Sequence, residues 1–159
     1  MKIDKESPNY DSPIELLLID DDPDILALMQ DSLFSDKDIT VTALKNSMEA
    51  IEELRRKNYD MVITDLRMPE VDGLTVACAI KEINPSTLVV IVTGYACLQS
   101  SLEAIRLGVY DYLPKPFSID AFHFMIQKAL KQIRSERENH LLREKLKTVE
   151  KKLAAVKAA

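Results

Sequence analysis

Long apolar runs are missing from the sequence. None approaches the roughly 20 residues that cross a bilayer, and the N-terminus lacks the apolar core of a secretory signal. Neither membrane insertion nor export is therefore expected, and the expected location is the cytoplasm. Cysteine is scarce: Cys78 and Cys97 stand far apart with no CxxC spacing, which excludes a disulfide framework and a zinc ribbon. Both are expected as reduced core or helix residues. With only three glycines there is no glycine-rich loop to cradle a nucleotide. The two histidines suggest no phosphohistidine chemistry: His140 lacks the surroundings of a kinase phosphoacceptor, and His123 reads as an ordinary helix residue. No internal repeat or low-complexity segment is visible.

What is present suits one globular core with some chain left over. The 159 residues are 47% hydrophobic and 30% charged. The net charge of −5 conceals a split. From Arg134 onward there are eight basic and four acidic residues, a net of +4; the remainder holds 13 basic and 22 acidic residues, a net of −9. An acidic globule has no reason to seek nucleic acid, and its excess of carboxylates suggests a cation site.

The chain is organised around NYDMVITDLRMPEVDG, residues 58–73. Met61-Val62-Ile63-Thr64 reads as a buried strand, and Asp65 stands where that strand opens into a loop. Pro69 and Gly73 give the loop its turns. Around this centre, strands and helices alternate. ELLLI (15–19) runs into Asp20-Asp21-Asp22-Pro23, where Pro23 suits the first turn of a helix and the acids suit its positive end. That helix runs to about Phe34, and Ile39–Thr42 alternates like a strand. Asn46 or Ser47 caps a second helix with Met48, Ile51 and Leu54 as its apolar face. A third helix covers about Leu74–Ile83, with Val76, Ala77 and Ile80 inward, before the very apolar LVVIV (88–92) delivers Thr93-Gly94. A weaker helix near Leu98–Leu107 is expected to bury Leu102, Ile105 and Leu107. Val109–Leu113 forms a fifth strand leading into Pro114-Lys115-Pro116-Phe117, and Ser118 or Asp120 caps a last helix. Five strands alternating with five helices predict a parallel sheet covered on both faces.

The first 13 residues are polar, carry Pro8 and Pro13, and are expected as a loose leader, with the domain over 14–134 and a helical extension over 135–159. From Ile119 to about Val156 there is no Pro or Gly, so the last helix is expected to run for about 55 Å. Leu142, Leu146, Val149, Leu153 and Val156 are spaced 4-3-4-3, a coiled-coil seam. Ile126, Leu130 and Ile133 form an earlier seam out of phase with it, so the register breaks near Arg137–His140. This extension suggests dimerisation or relay rather than a frayed end.

In the strand order 2-1-3-4-5, the first and third strands are neighbours at the switch point. Asp20 and Asp21 follow the first strand, Asp65 the third, Thr93 the fourth and Lys115 the fifth. All lie on the carboxyl edge of one sheet. Clustered carboxylates repel, so they either raise a pKa or hold a hard cation. Oxygen ligands favour Mg²⁺, which would neutralise an incoming phosphoryl group and leave a carboxylate free to attack it. Thr93 and Lys115 are a hydroxyl and an ammonium suited to the phosphoryl oxygens. Singly, each residue also reads as a capping acid, a strand-end threonine or a surface lysine.

The motifs LLLIDDDPDI, VITDLRMPEVDG, VIVTGYA and DYLPKPF, in this order over roughly residues 14–134, resemble receiver domains of two-component response regulators, nitrogen-regulatory-type receivers most of all. The resemblance implies a flavodoxin-like, doubly wound five-stranded parallel sheet with five helices. It implies that Asp65 accepts a phosphoryl group from the phosphohistidine of a sensor histidine kinase. Asp20, Asp21, Asp65 and the backbone carbonyl of Arg67 would hold Mg²⁺, with Asp22 beginning the helix. Thr93 and Lys115 would bind the phosphoryl group. Tyr112 would move with Thr93 and change the face formed by the fourth helix, fifth strand and fifth helix. Lys115–Pro116 would be a cis peptide. A homodimer through the C-terminal helix is expected, with the output domain missing from this chain. The resemblance implies a phosphoacceptor able to promote its own phosphorylation and dephosphorylation, not an enzyme with an external substrate. Arg67 and Tyr95, two residues after Asp65 and Thr93, are bulky where the family admits hydrolytic water, which implies a long-lived phospho-state.

Two other readings compete. A Mg²⁺-dependent phosphohydrolase of haloacid-dehalogenase type needs a second Asp two residues after its nucleophile, and Arg67 stands there. A scaffold that is never phosphorylated would not need every acceptor-site residue in place.

Overall fold

The structure is a computed structural model and describes residues 10–159. The expected leader falls mostly outside the described residues. Two compact units divide the chain: Pro13–Ile126 forms one, and Gln127–Ala159 with the segment ending at Ser12 forms the other.

In the first unit, β1 (Ile14–Ile19), β2 (Ile39–Leu44), β3 (Met61–Thr64), β4 (Leu88–Thr93) and β5 (Asp111–Pro114) form one parallel sheet in the order β2-β1-β3-β4-β5. Between them run α1 (Pro23–Leu33), α2 (Ser47–Arg56), α3 (Gly73–Ile83) and α4 (Leu98–Arg106); α5 begins at Ile119. Right-handed crossovers place α1 on one face and α2–α4 on the other. Both faces of the central strands are thus covered, which is why β3 and β4 are buried at every residue. Leu17, Ile19, Val62 and Val89 pack with Ala50, Leu54, Val76, Ala77 and Ile80 of α2 and α3. Leu16, Leu18, Ile63 and Val90 alternate with them and are buried on the opposite face.

The helix starts follow the expected chemistry. Asp22 accepts from the backbone N–H of Asp24 and Ile25, and Asn46 from those of Met48 and Glu49. Asp72 caps α3 through Thr75, and Ser118 receives the N–H of Ala121. Two apolar faces differ from expectation. In α4, Leu102 and Ile105 are exposed and Leu107 is half-buried, while Ser100 and Ala104 turn inward. Ala104 packs against Leu66 and Ile91, so the side of α4 that carries it and Ser100 faces inward. In α2, Met48 is exposed, and Ser47 and Ala50 are buried with Leu54. β5 begins two residues later than expected; Tyr110 already donates to the Val89 carbonyl before the ladder starts. Cys78 and Cys97 are free, as expected; both are exposed, Cys78 on α3 and Cys97 at the N-cap of α4.

In the second unit the chain from Gln127 is helical throughout, as the later part of α5 (Ile119–Ala158). Arg137 donates from Nη1 to the Ser12 carbonyl at 2.7 Å. Beyond it, Leu142, Leu146, Val149, Leu153 and Val156 are 53–72% exposed. Among the described residues, no helix is long and apolar enough to cross a membrane.

Candidate functional site

Three strand ends deliver the acids and the lysine to one place. The Asp65 N–H donates to the Ile19 carbonyl at 2.9 Å, tying the end of β3 to the end of β1. The next residue on the β1 side is Asp20, so the two carboxylates converge at the switch point. One carboxylate oxygen from each of Asp20, Asp21 and Asp65 falls within 4.8 Å of the others. Asp20 and Asp65 are buried, whereas Asp21 is exposed. From β5, the Lys115 ammonium reaches across the same edge. It donates to Asp20 Oδ2 at 2.6 Å and to Asp65 Oδ2 at 3.2 Å. Its backbone N–H donates to the Thr93 carbonyl at 2.8 Å, and Lys115–Pro116 is cis.

Burial pushes the Asp20 carboxyl above its ordinary range, outweighing its bonds from Lys115 and from the Asp22 N–H. Lys115 responds in the other sense: burial alone would lower it, but bonds and charges from Asp20 and Asp65 hold it above its ordinary value. The two acids thus hold Lys115 in its charged form, while burial opposes the charged form of Asp20. Three carboxylates against one ammonium leave two negative charges. All donors are hard oxygens, so the set fits a small divalent cation such as Mg²⁺.

The loop that follows Asp65 is held by its backbone. The Asp65 carbonyl receives Thr64 Oγ1 at 3.0 Å, Asp65 Oδ1 accepts the Leu66 N–H at 2.7 Å, and the Leu66 carbonyl accepts the Gly73 N–H at 2.8 Å. A Cβ on Gly73 would lie 2.1 Å from the Asp65 carbonyl oxygen. Only glycine lets α3 start this close to the Asp65 carbonyl.

Thr93 is fully buried at the end of β4, and its Oγ1 accepts the Tyr95 N–H at 3.1 Å. At the rim, the Arg67 guanidinium lies over the Tyr95 ring, 4.3 Å from its centre. Tyr112 of β5 is half-buried beside Leu66, Ile91 and Ala104. The structure thus brings Asp20, Asp21, Asp65 and Lys115 together, and places Thr93, Arg67 and Tyr112 on the same carboxyl side of the sheet. Two relationships were not legible in the sequence. The Tyr112 hydroxyl meets Ser100 Oγ of α4 at 3.2 Å, twelve residues away with no motif linking them. The stacking of Arg67 on Tyr95 was visible only as two bulky residues.

Residues 16–127 match the response regulator receiver domain family. The transcriptional regulatory protein GlrR of Escherichia coli (strain K12) is 38% identical over 120 residues, covering 76% of this chain and 27% of its own. The signal receiver domain of an HD domain-containing protein from Pseudomonas fluorescens Pf-5 superposes with a TM-score of 0.72 at 31% identity, covering 79% of this chain and 93% of its own. The beryllofluoride-activated NtrC4 receiver domain dimer gives 0.69 at 27% identity, covering 75% and 98%. The chain spans about a quarter of the length of the curated relatives it matches.

Proposed function

The chain belongs to the response regulator receiver domain family, and on that premise we propose that it is a phosphorylation-controlled switch whose acceptor is Asp65. Receiver domains are phosphoacceptor signalling domains, and the partner that fits this one is a sensor histidine kinase. The observation that carries the reading is the contact of Lys115 Nζ with both Asp20 and Asp65. It sets a buried carboxylate beside an ammonium that can follow phosphoryl oxygens.

In the proposed reaction, an Asp65 carboxylate oxygen attacks the phosphorus of the phosphohistidine. The P–N bond breaks, its electrons stay with the imidazole nitrogen, and an acyl phosphate forms on Asp65. Lys115 moves from the Asp65 carboxylate to the transferred group, and the Thr93 hydroxyl turns from the Tyr95 N–H to donate to it. Asp20, Asp21, Asp65 and the Arg67 carbonyl would hold Mg²⁺, whose charge offsets that of the phosphoryl oxygens. Movement of Thr93 opens space for Tyr112, altering the face of α4, β5 and α5. We place the leader at 1–13, the receiver at 14–134 and a helical extension at 135–159, with self-association through the extension and the output module outside these residues.

The test is heat unfolding with Mg²⁺ and beryllofluoride, a phosphoryl mimic. With Mg²⁺ present, beryllofluoride is expected to stabilise wild type beyond Mg²⁺ alone and to add nothing to Asp65→Asn. Equal stabilisation of Asp65→Asn would place the acceptor elsewhere.

A further inference from the structure

The exposed seam of α5 carries enough information to set the geometry of self-association. With its 4-3-4-3 spacing, Leu146 and Leu153 occupy heptad positions a, and Leu142, Val149 and Val156 occupy positions d. Continued backward, these positions read Asn139, Ser135, Gln132 and Lys128, all polar. The apolar seam therefore begins just after Asn139, beyond the last buried residues of the helix, Ile133 and Arg137.

We propose that residues 139–156 pair with the same residues of a second copy as a parallel, in-register, two-stranded coiled coil. This rests on the self-association reading above and adds its direction, register and strand number.

Charge decides the direction. The flanking g and e positions are Glu138, Arg143, Lys145, Glu150, Lys152 and Lys157. In a parallel pair each g residue faces the e residue five places on in the other chain. Glu138 then meets Arg143 and Lys145 meets Glu150, each twice; only Lys152 and Lys157 are like-charged. An antiparallel pair packs a against d and sets g against g and e against e. In the register with the most apolar layers (Leu142 on Leu153, Leu146 on Val149), Lys145 meets Lys152 in a repulsive contact made twice, Arg143 meets Glu150, and Asn139 is left against Val156, so the parallel pair has the better balance of charges. The intrachain ion pair of this stretch joins Glu144 to Lys147, which lie on the outer f and b positions. Glu138, Arg143, Lys145 and Glu150 make no ion pair within the chain among the described residues.

Asn139 fixes register and number. At an a position, two asparagine side chains can satisfy each other only when the chains are in register, and this arrangement favours two strands at some cost in stability. Leucine at a with valine at d also suits higher assemblies, so Asn139 carries that choice. Five apolar layers along about 27 Å of helix bury less than the roughly 1,600 Å² of a standard stable interface. The dimer is therefore weak and concentration-dependent.

Sedimentation of the full chain from sub-micromolar to several hundred micromolar tests this, for wild type, Lys145→Glu, Glu150→Lys and the double variant. Circular dichroism checks that the helix is retained. The expected result is a monomer–dimer equilibrium. Lys145→Glu and Glu150→Lys each weaken it roughly tenfold by setting two pairs of like charges together, and the double variant returns to within about threefold of wild type. Tightening by Lys145→Glu would overturn the parallel geometry while leaving self-association intact, because only the antiparallel pair gains from losing the Lys145–Lys152 contact. A dominant tetramer would overturn the strand number. Monomer at every concentration would overturn the self-association reading and this proposal with it.

Discussion

The Tyr112 hydroxyl lies 3.2 Å from Ser100 Oγ, joining β5 to the first turn of α4. Ser100 Oγ also lies 3.0 Å from the Cys97 carbonyl, to which it can donate, and either hydroxyl can be the donor in the contact with Tyr112. A Ser100→Ala, Tyr112→Phe double-mutant cycle in denaturant unfolding should give a coupling of about 1 kcal/mol. If Tyr112 reorients when Asp65 is occupied, the coupling changes once beryllofluoride and Mg²⁺ are bound. An unchanged coupling would remove Tyr112 from the switch.

The Arg67 guanidinium lies over the Tyr95 ring, an exposed cation–π contact between the residues that follow Asp65 and Thr93 by two. Replacing both residues with Ala should speed loss of the phosphoryl group by about tenfold, equivalent to about 1.4 kcal/mol of barrier. The measurement is decay of the acyl phosphate after donor removal. Unchanged decay would mean that the stack does not hinder water.

Gly73 and Gly94 provide a contrast. A Cβ at Gly73 would meet backbone 2.1 Å away, whereas at Gly94 its nearest neighbour is Lys115 Cβ at 3.9 Å. Gly73→Ala should cost about 2 kcal/mol of stability through forced backbone shifts and should slow phosphorylation, because Asp65 itself must move. Gly94→Ala should leave unfolding nearly unchanged. Equal effects would show that the close approach at Gly73 relaxes freely.

Lys115 sits above its ordinary value of 10.5, so its pairing contributes stability that is fully present below that value and is lost as pH rises through the folded-state value. Lys115→Met leaves the buried Asp20 unpaired and should cost about 3 kcal/mol at pH 7. The gap between the two proteins in denaturant unfolding should narrow as pH rises past 10.5. A gap independent of pH would mean that the ammonium charge is not what stabilises the edge.

The strands and caps were legible because each is fixed by short-range chemistry. Leu88–Val92 is too apolar to lie anywhere but at the centre of the sheet, and Asp22, Asn46 and Ser118 cap the helices they precede. The site was legible because parallel topology sends every strand end to one edge, so Asp20, Asp65, Thr93 and Lys115 needed only their positions in the chain. The inward face of α4 was not. Its apolar residues occur on several sides of a nine-residue helix, and the side that meets Leu66 and Ile91 carries Ala104, not Leu102 or Ile105. Which side of a short helix is packed has no local signature. The same holds for Tyr112 and Ser100, which meet only because β5 and α4 are brought together.

The most direct test of the account is intact mass after incubation with acetyl phosphate and Mg²⁺, for wild type and Asp65→Asn. The account predicts an adduct of about 80 Da, one phosphoryl group, on wild type and none on Asp65→Asn. An adduct of equal yield on Asp65→Asn would contradict Asp65 as acceptor. No adduct on wild type, with a phosphohistidine donor tried as well, would make the domain a scaffold.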